Sequence, residues 1–105
     1  MEKPNLDFVL KLSDGDVEFK NKLISILKKE FLVEVNIYND SYSNKSFTSA
    51  AEIVHKLKHK ISLLGLKESF EFTNSYESEL KNQNFSKHES FQLILNEISV
   101  FLNDL

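Results

Sequence analysis

Two histidines, His55 and His59, lie four positions apart in a segment that also contains Lys56, Lys58 and Lys60. An imidazole can act as a nucleophile, a proton acceptor or a metal ligand, and an ammonium group can bind an anion such as a phosphate. On a helix, residues four positions apart project from the same face. The segment therefore predicts two neighbouring imidazoles next to positive charge.

Apolar residues recur at intervals of three and four along this segment, namely Val54, Leu57, Ile61 and Leu64. Such spacing predicts one buried face of an amphipathic helix. Gly65 follows at the place where a helix commonly ends, because glycine adopts left-handed backbone angles without steric cost. The opposite face, which we expect to contact solvent, contains Ala51, His55, Lys58, His59 and Ser62.

The composition predicts one helical domain over residues 1–105. Two glycines and one proline are too few for a sheet-rich fold with many tight turns. With a formal net charge of -3, the chain lacks the positive electrostatic field of a typical nucleic-acid-binding protein. The chain has no cysteine and no apolar run approaching the roughly 20 residues of a membrane span. We therefore expect a cytoplasmic monomer that binds neither nucleic acid nor membrane.

The helical periodicity predicts an up-down-up-down antiparallel four-helix bundle preceded by a short N-terminal helical segment. The short segment covers residues 5–12. The four long helices are predicted over residues 16–38, from a start between 44 and 49 to Gly65, over 66–82, and from a capping box at Ser86 and Glu89 to near Leu105. Asp14 or Asp16 can cap the first long helix. His88 is predicted to be a solvated residue of the last helix.

The first long helix has two apolar stripes. One consists of Ile24, Leu27, Phe31, Val35 and Tyr38, and the other of Phe19, Ile26, Val33 and Ile37. Glu30 and Glu34 lie between them, and carboxylates are seldom buried unpaired. We expect one stripe in the core and the other at a margin or contact surface, unless neighbouring helices cover both.

The motif formed by His55, Leu57, Lys58, Leu64 and Gly65 resembles that of the histidine-containing phosphotransfer (HPt) domain of multistep phosphorelays. The segment 8–19 is also similar to the stretch that leads into this family's first long helix, so the resemblance covers essentially the whole chain. It implies that His55 accepts a phosphoryl group from a receiver-domain aspartate and passes it to another response regulator. The implied partners are receiver domains and a hybrid histidine kinase.

The resemblance also assigns roles around His55. Lys58 would offset phosphate charge, with Lys56 and Lys60 as a general positive margin. Receiver docking or motif geometry would involve Ala51, His59, Ser62 and Gly65. The chain would be a phosphocarrier, not an enzyme, with no cofactor of its own, because the receiver would supply Mg²⁺. His59 stands where many family members have glycine, and its bulkier imidazole either narrows the set of receivers that can dock or rotates away from the docking surface.

Two alternatives remain. The chain could be a helical docking module that binds and regulates a receiver or kinase without being phosphorylated. His55 and His59 could instead bind a metal, as histidines four apart do in zinc sites. The metal alternative is disfavoured because no glutamate follows His55 in a H-E-x-x-H pattern, and because Lys56 and Lys58 would repel a cation. We therefore expect no metal site in this chain.

Overall fold

The computed structural model describes residues 2–105, and over this range the chain forms helices and no strand. The helices are α1 (Asp7–Ser13), α2 (Val17–Ser43), α3 (Phe47–Leu63), α4 (Lys67–Lys81) and α5 (His88–Asn103). The prediction of an all-α fold is confirmed. None of the helices in the described range has the length and apolarity needed to cross a bilayer.

The four long helices pack in a closed ring. Helix α2 contacts α3 and α5, and α4 contacts the same two helices from the other side. The short connections at residues 44–46, 64–66 and 82–87 make successive helices antiparallel, and α1 packs against α2. This arrangement is consistent with the predicted four-helix bundle and its short N-terminal helix.

Helix α2 begins as predicted and ends later than predicted. The Asp16 carboxylate accepts a hydrogen bond from the Phe19 backbone N–H at 3.0 Å, which caps the first turn. The helix continues beyond Tyr38 to Ser43. The reason is Tyr42, whose ring packs against Phe47 of α3 and Phe85 of the connection between α4 and α5. This aromatic packing extends the helix through a polar run that was expected to end it.

The three predicted apolar stripes, one on α3 and two on α2, can be located in the structure. The α3 stripe of Val54, Leu57, Ile61 and Leu64 is fully buried. The first α2 stripe supplies Leu27, Phe31 and Tyr38 to the same core. The second α2 stripe stays between 43% and 55% exposed at Phe19, Ile26, Val33 and Ile37. Neighbouring helices therefore do not cover both stripes, and the second one is a free surface of the protein.

Gly65 ends the α3 segment in the left-handed conformation that its position predicts, with φ of 78°. The N-terminal segment crosses this turn, where Asn5 donates its backbone N–H to the Leu64 carbonyl at 2.9 Å. A Cβ atom on residue 65 would lie 2.6 Å from the Asn5 side-chain nitrogen. Glycine is thus required both by the backbone angle and by the close approach of Asn5.

The prediction of a solvated His88 in a capping box is wrong. Helix α5 begins at His88 itself and has no side-chain cap, and the Ser86 backbone N–H donates to the Asn84 side-chain oxygen, not to Glu89 as a capping box requires. The His88 Nδ1 atom and the Tyr38 hydroxyl are hydrogen-bonded at 2.6 Å. The His88 ring stacks on Tyr42, with centroids 3.6 Å apart. His88 is therefore an internal contact between α2 and α5.

The packing of His88 predicts a loss of stability in mild acid. Burial lowers the pKa of His88 below the ordinary value of 6.5, and the opposing effect of Glu89 does not cancel this shift. The unfolded chain thus takes up this proton at a higher pH than the fold does. The stabilisation from neutral His88 is fully present above pH 6.5 and is lost as the pH falls toward the lower folded pKa. The expected loss is of the size of one hydrogen bond, about 1 kcal/mol.

Urea denaturation at pH 7.5 and 5.5 measures this effect. Wild type should lose more stability between the two pH values than His88→Gln, which has no titrating ring. Besides Glu89 on its own helix, the ionisable groups that face His88 are Tyr38 and Tyr42 of α2 and Tyr76 of α4, and phenols do not titrate in this pH range. Equal pH dependence in the two proteins would contradict the prediction.

Candidate functional site

His55 projects from α3 and contacts Glu77 of α4. The His55 Nδ1 atom lies 3.1 Å from Oε2 and 3.2 Å from Oε1 of the Glu77 carboxylate. The His55 side chain is 53% exposed, whereas that of Glu77 is 12% exposed. The predicted exposure of His55 is confirmed, and one edge of its ring is held by a nearly buried carboxylate.

Glu77 is held in turn by lysines. Lys58 Nζ lies 3.0 Å from Glu77 Oε1, and Lys81 Nζ lies 3.6 Å from Oε2. Burial by itself raises the pKa of Glu77, but the hydrogen bonds from Lys58 and His55 outweigh it and hold the pKa below its ordinary value. Glu77 is therefore an ionised acceptor beside the His55 ring.

The contact with Glu77 determines which nitrogen of His55 is available for chemistry. An ionised carboxylate accepts hydrogen bonds and donates none, so the His55 Nδ1 atom must carry the proton. In the neutral ring the lone pair then lies on Nε2, at the opposite edge from Glu77. The site thus presents a nucleophilic or ligating nitrogen on the exposed side of a rigid helix.

The predicted solvent exposure of Lys58 is wrong. The residue is 8% exposed, and its Nζ atom donates to the Asn74 side-chain oxygen at 3.0 Å as well as to Glu77. The ammonium also lies over the Phe70 ring, 5.8 Å from the centroid. Two oxygen acceptors on α4 explain why this charge is stable at a helix interface. Lys58 therefore contacts Glu77, whereas the Nε2 atom of His55 faces His59.

The predicted exposure of Ala51 is also wrong, since the residue is 1% exposed and belongs to the core. Helix α3 packs against both α2 and α4, so more of its circumference is buried than the single apolar stripe indicates. Ala51 therefore has no surface to offer a docking partner. His59 and Ser62 are exposed as expected, and Gly65 is exposed as well.

His59 lies directly beside the available nitrogen of His55. The two Nε2 atoms are 3.4 Å apart, and the rings are nearly perpendicular, with centroids separated by 4.9 Å. His59 also borders two shallow depressions of the surface. One is shared with Val33 of α2, and the other with Phe8 of α1. His59 is therefore at the centre of the exposed site.

Of the two lysines predicted to form a positive margin around His55, only Lys56 is exposed. Lys60 Nζ lies 2.8 Å from Glu34 Oε2 and 3.1 Å from Glu30 Oε1. Burial alone lowers the pKa of Lys60, but these two carboxylates outweigh it and raise the pKa above its ordinary value. Lys60 therefore joins α3 to α2, and its assignment to the margin is wrong. Lys56 is exposed and fits that role.

Glu77 is the site residue that the sequence reasoning missed. It lies on the apolar side of α4, where Leu66, Thr73 and Leu80 are buried. A carboxylate in a buried stripe is rarely tolerated without a partner. That position was a usable signal, because it predicts that a cation or a histidine from a neighbouring helix must face Glu77.

Comparisons of the chain with protein-family models, with curated proteins and with solved structures find no match. The HPt likeness of the His55 motif is therefore a likeness of residue types and spacing, and it stays a prediction. The geometry that joins His55, Glu77 and Lys58 is an independent observation on which a functional proposal can be based.

Proposed function

We propose that the protein is a phosphocarrier of a two-component phosphorelay. His55 accepts a phosphoryl group from the aspartyl phosphate of one receiver domain and passes it to an aspartate of another response regulator. The observation that carries the proposal is the contact between His55 Nδ1 and Glu77, which leaves Nε2 of the neutral, half-exposed ring unprotonated beside His59. Transfer requires such a nitrogen on a rigid helix, so that the receiver can place its aspartyl phosphate in line with the attacking Nε2 atom.

The transfer step balances without a proton leaving the attacking atom. The Nε2 lone pair attacks phosphorus, the bond between phosphorus and the aspartate oxygen breaks, and the aspartate departs as a carboxylate. The His55 ring gains positive charge while Nδ1 keeps its proton. Glu77 is already oriented toward Nδ1, so its negative charge stabilises the developing imidazolium without rearrangement.

Lys58 acts through Glu77 in this proposal. Its ammonium is bonded to Glu77 and Asn74, so it positions the carboxylate that orients His55. In this proposal the receiver supplies Mg²⁺ and the groups that neutralise the phosphoryl oxygens. The chain itself supplies the oriented nucleophile and the surface around it, including the exposed Val33 and Phe8 beside His59.

The alternative of a docking module without phosphorylation uses the same surface. The exposed apolar side chains of Val33 and Phe8 favour a protein partner at this site under either hypothesis. A docking module, however, has no need for a carboxylate that fixes the His55 tautomer. The Glu77 contact therefore favours the carrier.

The test is incubation with a phosphorylated receiver domain, followed by chemical and positional analysis of the label. A carrier acquires phosphate that is labile in acid and stable in base, and fragment mass spectrometry under alkaline conditions places it on His55. The absence of label, or label on His59 or His88, would refute the assignment. Receiver binding without any label would establish the docking alternative.

Replacement of Lys58 by alanine is expected to slow phosphoryl uptake about tenfold, equivalent to about 1.4 kcal/mol in the barrier. The substitution removes a nearly buried, charge-assisted hydrogen bond to Glu77, so the carboxylate no longer holds the His55 ring in one orientation. Single-turnover transfer from a phosphorylated receiver measures the rate, and circular dichroism checks the fold.

Lys81→Ala is the matched control for Lys58→Ala. Lys81 also faces Glu77, but its side chain is 63% exposed and the nitrogen is 3.6 Å away. Exposed pairs of this kind contribute little. We expect less than a twofold change in rate, and equal effects of the two substitutions would remove Lys58 from its positioning role.

A further inference from the structure

We propose that His55 and His59 form a binding site for a divalent transition-metal ion of the Zn²⁺ class, using their two Nε2 atoms as ligands. The Nε2 atoms are 3.4 Å apart. Two nitrogens bound to one tetrahedral Zn²⁺ at about 2.0–2.1 Å lie about 3.3 Å from each other. The observed separation therefore needs almost no adjustment to match a shared metal ion.

The orientation of the rings supports the same conclusion. The ring centroids are 4.9 Å apart. If the two rings lay end to end with their Nε2 atoms 3.4 Å apart, the centroids would be farther from each other than this. The two rings are therefore not in line with each other, and their Nε2 atoms lie close together on one side of α3. Metal binding requires that His59 carries its proton on Nδ1, leaving the Nε2 lone pair free. Both side chains are on one rigid helix and four positions apart, a spacing used by helical zinc sites.

Glu77 adds an independent feature that is typical of metal centres. Histidines that bind a metal through one ring nitrogen almost always donate the other N–H to a carboxylate, a carbonyl or water. The His55 Nδ1 atom has this contact with Glu77 already in place. It fixes the tautomer that places a lone pair on Nε2, and the negative charge of Glu77 makes the ring a better donor.

The structure also removes one objection to a cation at this position. Lys58 was expected to share the exposed face with the histidines, but its ammonium is turned toward Glu77 and Asn74. Lys56 remains exposed on α3 and opposes cation binding. Within residues 2–105 no three histidine or acidic side chains converge on one point, so water or a partner's side chain must complete the coordination. We therefore expect weaker binding than at a four-ligand structural zinc site.

The direct test is titration of untagged, ¹⁵N-labelled protein with ZnCl₂, followed by NMR of the imidazole nitrogens. The resonances of His55 and His59 should shift together and saturate at one equivalent. His88, which is enclosed by Tyr38 and Tyr42, should not shift and serves as an internal control. The absence of saturable binding, or an equal response of His88, would overturn the proposal.

Three variants sharpen the titration. His59→Ala should weaken Zn²⁺ binding more than tenfold, and Glu77→Gln should weaken it about tenfold by loosening the His55 ring. Lys56→Ala should bind Zn²⁺ as well as wild type or better, because a nearby positive charge is removed. Wild-type affinity in His59→Ala, or lost affinity in Lys56→Ala, would contradict the proposed site.

A consequence of this site rests on the proposed function: Zn²⁺ and a phosphoryl group compete for the same Nε2 atom of His55. Zn²⁺ should therefore reduce phosphoryl uptake by wild type, and the ratio of uptake with and without Zn²⁺ should be nearer to one in His59→Ala. If no protein takes up label, the phosphocarrier proposal fails while the NMR titration still decides the metal site. Equal ratios in both proteins would refute the competition.

Discussion

Replacement of His55 by glutamine is expected to abolish phosphoryl uptake from a phosphorylated receiver while the bundle stays folded. The glutamine side chain can still donate a hydrogen bond to Glu77, but its amide nitrogen has no available lone pair for attack on phosphorus. His55 is half exposed and is outside the core, so the free energy of unfolding should change by less than about 1 kcal/mol. Label uptake and urea denaturation measure the two effects.

His88→Gln is the matched control, since it makes the same change at a histidine that faces α2 at a different part of the fold. It should reduce stability through the lost contact with Tyr38 and still acquire label. If His55→Gln acquires as much label as wild type, another residue is the acceptor and the carrier proposal is wrong in its central assignment.

Replacement of Glu77 by alanine is expected to lower both the rate of phosphoryl transfer and the free energy of unfolding. Its effect on transfer should be second only to that of His55→Gln. The His55 ring loses a charge-assisted hydrogen bond of about 1.5–3 kcal/mol, which corresponds to roughly 10- to 150-fold in the transfer rate. Lys58 keeps Asn74 but loses its counter-ion at a position that is 8% exposed. We expect the free energy of unfolding to fall by about 1–3 kcal/mol.

The effect of Glu77 on His55 can be separated from its effect on stability. In wild type, imidazole ¹⁵N NMR should show the neutral His55 ring protonated at Nδ1, whereas Glu77→Ala should give a mixture of tautomers. Glu77→Gln, which keeps a neutral acceptor, should lie between them. Glu79→Gln is the control, because Glu79 is on the same helix and pairs with Lys87, away from His55. An unchanged tautomer and rate in Glu77→Ala would exclude a positioning role.

The fold followed closely from the periodicity of the sequence. Leu57 and Ile61 are buried because helical spacing places them on one apolar face, and Gly65 ends the segment for a local steric reason. The main error in the helix boundaries, at the end of α2, came from Tyr42. The Tyr42 ring packs on Phe47 and Phe85, which lie beyond the polar run at residues 39–44. The run by itself therefore gives no sign that the helix continues through it.

The candidate site was predictable in part. The exposure of His55 and its proximity to His59 follow from positions on one helix. The orientation of His55 does not, because Glu77 is 22 residues away in the chain and on another helix. Lys58 shows the limit most clearly, since the same helical position would be solvated on an isolated helix and is nearly buried beside α4.

The sequence by itself determined the helices, the core stripe of α3 and the exposure of His55, because these depend on residue spacing along one helix. The tertiary structure decided which side chains meet across helices, including Glu77 with His55 and Lys58, and Tyr38 with His88. The physical reason is that a bundle helix contacts two neighbours, whereas its apolar stripe indicates one buried face. Polar pairing at the second interface depends on the register between helices, and helical periodicity does not specify that register.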